Sequence, residues 1–287
     1  MKPKDSSSGS SRLAVLSILL LIAGVTQGQY NGKKSLDGFL DTQFWLGLKL
    51  GTNFTQAHPE TRVSGFSPID YSTDSLQKNY DDFSLPGAQM GLEMTLYHKG
   101  FSLSFQPAYK RSRYKYASRL SWVGETSGTR FETSYEVEQR LDLIELPLTI
   151  KYDIIRRGKV RPFLMAGGFH SFIASAQKEV DITQIDFSSG SALQSDGGST
   201  ILGVKDAFKN FSGITGGLGV NLDYWNIRTV MEIGYRRALS AATRPNVRQD
   251  ELAALGEAND EIFLRDLSIS LSLIFPFRFI DSQLKAL

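Results

Sequence analysis

From Leu264 to Phe279 the chain alternates: Leu267, Ile269, Leu271, Leu273, Phe275 and Phe277 are spaced by Asp266, Ser268, Ser270 and Ser272 on the intervening positions. Successive side chains of a β-strand point to opposite faces, so this segment has one apolar face and one polar face. About ten residues of that pattern cross a bilayer at a tilt. A strand in hydrocarbon must have both of its edges hydrogen-bonded, and only a closed barrel provides that.

The pattern recurs about eight times, over Phe44 to Thr55, Leu85 to Tyr97, Phe101 to Lys115, Leu141 to Ile155, Val160 to Ile173, Phe211 to Tyr224, Ile227 to Ala238 and Leu264 to Phe279. The connections alternate in length. His98-Lys99-Gly100, Arg156 to Lys159 and Trp225-Asn226 read as tight turns, whereas Gln56 to Ser84, Tyr116 to Arg140, Ala176 to Asn210 and Leu239 to Phe263 are long and polar. Together these predict an all-β, transmembrane, antiparallel up-and-down barrel of about eight strands, with short periplasmic turns and long extracellular loops. The net charge of +2 and mean hydropathy of −0.18 look soluble because a barrel strand gives only every second residue to lipid.

At the other end, Lys2, Lys4 and Arg12 precede an apolar run from Leu13 to Val25, followed by Thr26-Gln27-Gly28. This predicts a signal peptide over residues 1–28, cleaved before Gln29; a retained anchor would need roughly 20 apolar residues. The remaining organisation is a periplasmic segment at 29–43, a barrel domain at 44–279 and a periplasmic tail at 280–287, placing the mature chain in the outer membrane. The absence of cysteine removes lipidation at a cysteine, disulfides and thiolate metal sites.

Strand parity assigns the faces. Phe44, Leu46, Leu48 and Leu50 face lipid, as do Ala88, Met90, Leu92, Met94 and Leu96; Ile144, Leu146, Leu148 and Ile150; and Met231, Ile233 and Tyr235. Lys49, Glu93, Glu145, Lys151, Glu232 and Arg236 then point into the lumen. An eight-stranded barrel is only wide enough inside for side chains, so these charges read as a closed, paired plug; a narrow solute path is the alternative. Trp45, Tyr97, Phe101, Tyr152, Tyr224, Trp225, Phe277 and Phe279 fall near strand ends, where interfacial aromatic girdles belong.

The cluster Gly213, Gly216, Gly217 and Gly219 lies within a strand that ends in a hairpin, so it lacks the helix a dinucleotide site requires. Asp74, Asp81 and Asp82 match no calcium-loop spacing. Of the three histidines only His58 lies in a segment on the outer side, and a rim hydrolase would need a histidine paired with serine or an acid. Basic residues are scattered and matched by acids. The expectation is therefore no catalytic residue, no cofactor, no metal and no nucleic-acid partner.

Within Tyr116 to Arg140, Phe131, Thr133, Tyr135 and Val137 alternate with Glu132, Ser134, Glu136 and Glu138. This predicts a hairpin standing above the membrane that presents Trp122, Phe131 and Tyr135 to a partner; shielding of the barrel mouth is the alternative. A short helix is expected near Gln249 to Ala258.

Leu143 to Tyr152, the following Arg161-Pro162-Phe163-Leu164-Met165-Ala166-Gly167-Gly168, Gly217-Leu218-Gly219 and Leu267 to Leu271 resemble the PorT-like outer-membrane β-barrel family of Bacteroidota. That resemblance covers most of the mature chain. It implies a non-enzymatic assembly, secretion-associated (type IX-like) or surface-interaction role, with outer-membrane lipid, lipopolysaccharide and an envelope or secretion-machinery protein as partners. Transport of small or hydrophobic solutes through the barrel is the alternative function, and a rim-sited enzyme acting on lipid is a third. The chain departs from the usual terminal aromatic, since Ile280 to Leu287 continue past Phe279.

Overall fold

A computed structural model describes residues 42–62, 78–123, 130–156, 158–187, 192–224, 226–244 and 259–277, with backbone only at Leu120, Trp122 and Val123. The expected signal peptide, Gln29 to Asp41, the expected helix near Gln249 to Ala258 and the tail after Phe277 lie outside the described residues. The strands are β1 (Thr42–Thr61), β2 (Asn79–Tyr80), β3 (Pro86–His98), β4 (Phe101–Phe105), β5 (Ala108–Val123), β6 (Arg130–Asp153), β7 (Val160–Asp186), β8 (Leu193–Gly203), β9 (Phe211–Tyr224), β10 (Ile227–Ala238) and β11 (Glu261–Pro276).

The strands close on themselves. β1 pairs with β3 on one side and β11 on the other; β6 pairs with β4, β5 and β7; β7, β9, β10 and β11 complete the circuit, all antiparallel. β4 and β5 occupy one place in the wall, between β3 and β6. They are the expected strand Phe101 to Lys115, interrupted at Gln106-Pro107 because proline has no N–H for the ladder. The register is kept across the break, as Leu92 N–H donates to Pro107 and Gln106 N–H to Pro147. The wall therefore has eight positions, and β2 and β8 are additions outside it.

The outer wall is apolar along its middle. Leu48, Leu50, Met90, Ile150 and Leu164 are all more than half exposed, and exposed Leu, Ile, Met and Phe side chains continue round every wall strand. That surface is what a barrel offers to lipid; in water it would be an aggregating belt. Phe101 stacks near Tyr152 (4.9 Å) and Phe44 near Phe277 (5.5 Å) on this outer face, at the short-turn end.

β6 and β7 run for 24 and 27 residues. At roughly 3.3 Å per residue, β7 is about 90 Å long, far beyond the ten or so residues that cross hydrocarbon. Their upper halves join β5, β8 and β2 in a five-stranded sheet beyond the belt. Ala176 to Asn210, predicted from its polarity to be a long loop, holds the upper part of β7 and β8 instead. Above the lipid the outward face is polar as well, so hydrophobic alternation no longer marks the strand.

A β-bulge sits where β7 leaves the belt: Leu143 pairs with Ile173 but Asp142 with Ser175, leaving Ala174 extra. Below it the inward residues are odd-numbered (Arg161, Phe163, Phe169, Ser171); above it they are even-numbered (Ala176, Lys178, Val180). On the neighbouring strand, Gly219, Gly217 and Gly213 face Phe163, Met165 and Phe169 as direct cross-strand partners. A Cβ on Gly219 or Gly213 would run into the facing phenyl ring. The glycine cluster thus makes room for large inward side chains of β7.

Candidate functional site

The interior is filled from end to end. Nearest the short turns, Arg161 and Arg228 are buried with Asp153 and Asp223: Arg228 meets Asp223 at 2.6 Å, and Arg161 contacts both Asp223 and, at 3.5 Å, Asp153. Arg228 lies 4.2 Å over the Trp45 ring and Arg161 5.2 Å over Tyr97. Trp45 and Tyr97, expected in the interfacial girdle, are fully buried here. Their odd positions on β1 and β3 share the inward parity of Lys49 and Glu93, which overrides their nearness to the strand ends.

In the next layer Glu232 bridges Lys49 and Lys151, and Lys151 also binds Glu93. Gln106 accepts from Lys49 at 2.8 Å, and Ser104 and Thr95 donate to Glu93. Above it, Lys110 bridges Asp266 (2.7 Å) and Glu145 (3.5 Å), and Arg236 reaches Glu145 at 3.0 Å. Each of the three layers sets two bases against two acids. Buried ions need such pairing, because removing one partner strands a charge in a low dielectric.

The structure brings all six sequence-derived lumen residues into paired contacts, in two successive layers. The other six members of the three layers, Lys110, Asp153, Arg161, Asp223, Arg228 and Asp266, are not among the residues the sequence singles out as the lumen network. Parity places each of them inward; the Pro107 break obscures it for Lys110 and the glycines of β7 and β9 for Arg161 and Asp223, whereas Asp153, Arg228 and Asp266 lie on the cleanly alternating β6, β10 and β11.

The mouth away from the short turns is closed by apolar side chains. Tyr114, Tyr116, Val137, Leu141, Leu143, Phe169, Val180, Phe211 and Leu264 line it, and Val204, Ala207, Phe208 and Ala242 fold across from the β8–β9 and β10–β11 connections. Backbone bonds fix those connections: Val204 N–H donates to Ala176, Lys209 to Ala242, Arg244 to Ala207 and Ala242 to Ile262.

Beyond the belt, the outward face of β5–β7 is laced with ion pairs. Arg111 binds Asp142 (2.8 Å), Arg113 and Arg140 share Glu138 (2.8 and 2.7 Å), Arg140 reaches Glu179 (2.6 Å), and Arg119 and Arg130 share Glu132. Burial raises the Glu138 carboxyl, but its bonds from Arg140 and Arg113 outweigh that and hold it below the usual range.

The expected hairpin exists, with Val123 paired to Arg130 and Ser118 to Tyr135. Its aromatic residues are arranged differently from the expectation. Tyr135 packs against the apolar mouth, where burial raises its phenol, because it shares the inward parity of Val137. Phe131 is half-buried, and the Trp122 side chain lies outside the described residues.

His170 shares a hydrogen bond with Ser212 (2.7 Å) on the outward face of β7 and β9. Among the described residues no carboxylate bonds to the His170 ring, and Ser212 N–H is already given to Ser240. Hydrolysis needs an oriented base and free oxyanion donors.

The family described as outer membrane protein beta-barrel domain matches residues 27–244. The chain belongs to that family. The protein is accordingly an outer-membrane β-barrel, whose short turns face the periplasm and whose extended sheet stands outside. Among solved structures it is similar to Ail, the attachment invasion locus protein of Yersinia pestis, in complex with the heparin analogue sucrose octasulfate (7% identity, 81% of this chain and 99% of that chain, TM-score 0.30). It is also similar to Neisserial surface protein A (12%, 80% and 96%, 0.29) and a Pseudomonas aeruginosa FadL homologue (7%, 83% and 91%, 0.22). No curated protein matches the chain.

Proposed function

We propose that this barrel is a non-enzymatic surface-interaction protein whose working part is the sheet that β5, β6, β7 and β8 raise above the membrane. The observation that carries this reading is the continuation of the β5–β6–β7 ladder to Val123, Arg130 and Asp186, many residues past the belt. Crossing the bilayer needs about ten residues per strand, so this length serves something outside it. The filled interior weighs against solute transport, which would need a continuous path.

The test is to replace residues 117–136 with a short glycine-containing turn, keeping the Tyr116–Val137 pair that closes the mouth. Heat-modifiable barrel migration is expected to persist while co-purification of a surface partner is lost. Retained partner binding would move the site to the periplasmic face. There the resemblance to the PorT-like family would favour an assembly or secretion-associated role, with Gln29 to Leu40 and the tail after Phe279 as candidates.

A further inference from the structure

The outer wall handles charge differently on its two sides where it rises out of the apolar belt. On β5 and β6 the first outward residues above Tyr109 and Ile144 are Arg111 and Asp142, direct cross-strand partners joined at 2.8 Å. On β10 and β11 the first outward residues above Tyr235 and Leu267 are Arg237 and Arg265, also direct cross-strand partners. Like charges opposite each other in an antiparallel ladder are destabilising. Neither arginine has an acidic partner among the described residues, although the chain supplies one for every outward arginine of the facing lattice.

The surroundings sharpen the contrast. Arg265 pairs across β1 with Gln56, whose amide donates to Asp82, and one step further out His58 pairs with Phe263. The His58 imidazole is held below its ordinary value by burial first, then by Arg265 and Arg237, with Glu60 opposing. Arg237 is exposed and Arg265 half-buried. Directly beneath them lie Tyr235, Leu267, Ile233 and Ile269, part of the lipid-facing belt.

We propose that Arg237 and Arg265 bind a phosphate group carried by an outer-leaflet glycolipid, whose acyl chains lie along Tyr235, Leu267, Ile233 and Ile269. Two guanidinium groups give a tetrahedral phosphate several charge-assisted donors, and the phosphate removes the repulsion between them. The belt immediately below fixes the ligand as a lipid rather than a free anion.

Native mass spectrometry of the folded full-length chain in detergent tests this with bisphosphorylated lipid A, the same lipid after phosphatase treatment, and phosphatidylglycerol. The expected result is retention of the phosphorylated lipid A alone, about tenfold or more weaker in Arg237→Gln/Arg265→Gln and unchanged in Arg111→Gln/Asp142→Asn. The double glutamine variant is further expected to resist urea at least as well as the parent in phosphatidylcholine vesicles, and to gain no resistance from added lipid A. Equal retention of the dephosphorylated lipid or of phosphatidylglycerol would overturn the proposal, as would unchanged lipid A retention in the double glutamine variant.

Discussion

Glu232 is the hinge of the central charge layer, because its two carboxylate oxygens take Lys49 and Lys151 together. Glu232→Gln keeps the shape and removes the charge, leaving two ammonium groups facing Glu93 alone in a space where all four groups are almost wholly buried. Removing one partner of a buried pair costs about 3–5 kcal/mol. At about 1.4 kcal/mol per tenfold, that is roughly two to nearly four orders of magnitude in the folding equilibrium. Lys49→Met in the same chain restores neutrality, since Lys151 and Glu93 remain paired at 2.5 Å. Urea titrations of folding into lipid vesicles, followed by heat-modifiable migration, should show the single variant strongly destabilised and most of the loss recovered in the double variant. An undiminished Glu232→Gln protein, or a double variant no better than the single, would refute the paired-plug reasoning.

Leu271 faces lipid midway along β11, opposite Leu50 and Met231, whereas Ser270 faces the lumen. Leu271→Arg is expected to cost about 2–4 kcal/mol in the same titration, while Ser270→Arg is limited by lumen space and pairing; equal penalties, or a larger one at Ser270, would sink the face assignment. Gly219→Val would drive its Cβ into the Phe163 ring and the Met231 carbonyl. A cost of about 1–3 kcal/mol is expected, reduced when Phe163→Ala is added. No relief from that second change would separate the glycine from the aromatic.

The barrel was legible where one face of a strand meets lipid and the other a polar lumen, as in Leu267 to Phe275 or Met90 to Leu96. There the physical environments differ most, so the residues differ most. Legibility failed in three places. Proline at 107 split a strand without shifting its register, the Ala174 bulge reversed parity in β7, and Gly213 to Gly219 carried no side chains to reveal a face. Above the membrane, water wets the outward side of β6, β7 and β8, and the ion-paired ladder there reads as loop. Of the six inward charges outside the sequence-derived set, Lys110, Arg161 and Asp223 lie on the obscured strands β5, β7 and β9, whereas Asp153, Arg228 and Asp266 lie on β6, β10 and β11, where parity alone places them inward. Trp45 and Tyr97 show that parity outranks position along the strand: a residue near the interface belongs to the girdle only if it points outward.

Three neutral layers and an apolar mouth close the interior. Single-channel recording of the purified, folded chain in planar bilayers measures that directly. The prediction is a membrane that stays electrically silent across the usual voltage range at high protein load. Stable, ion-selective current steps from the unmutated protein would contradict it.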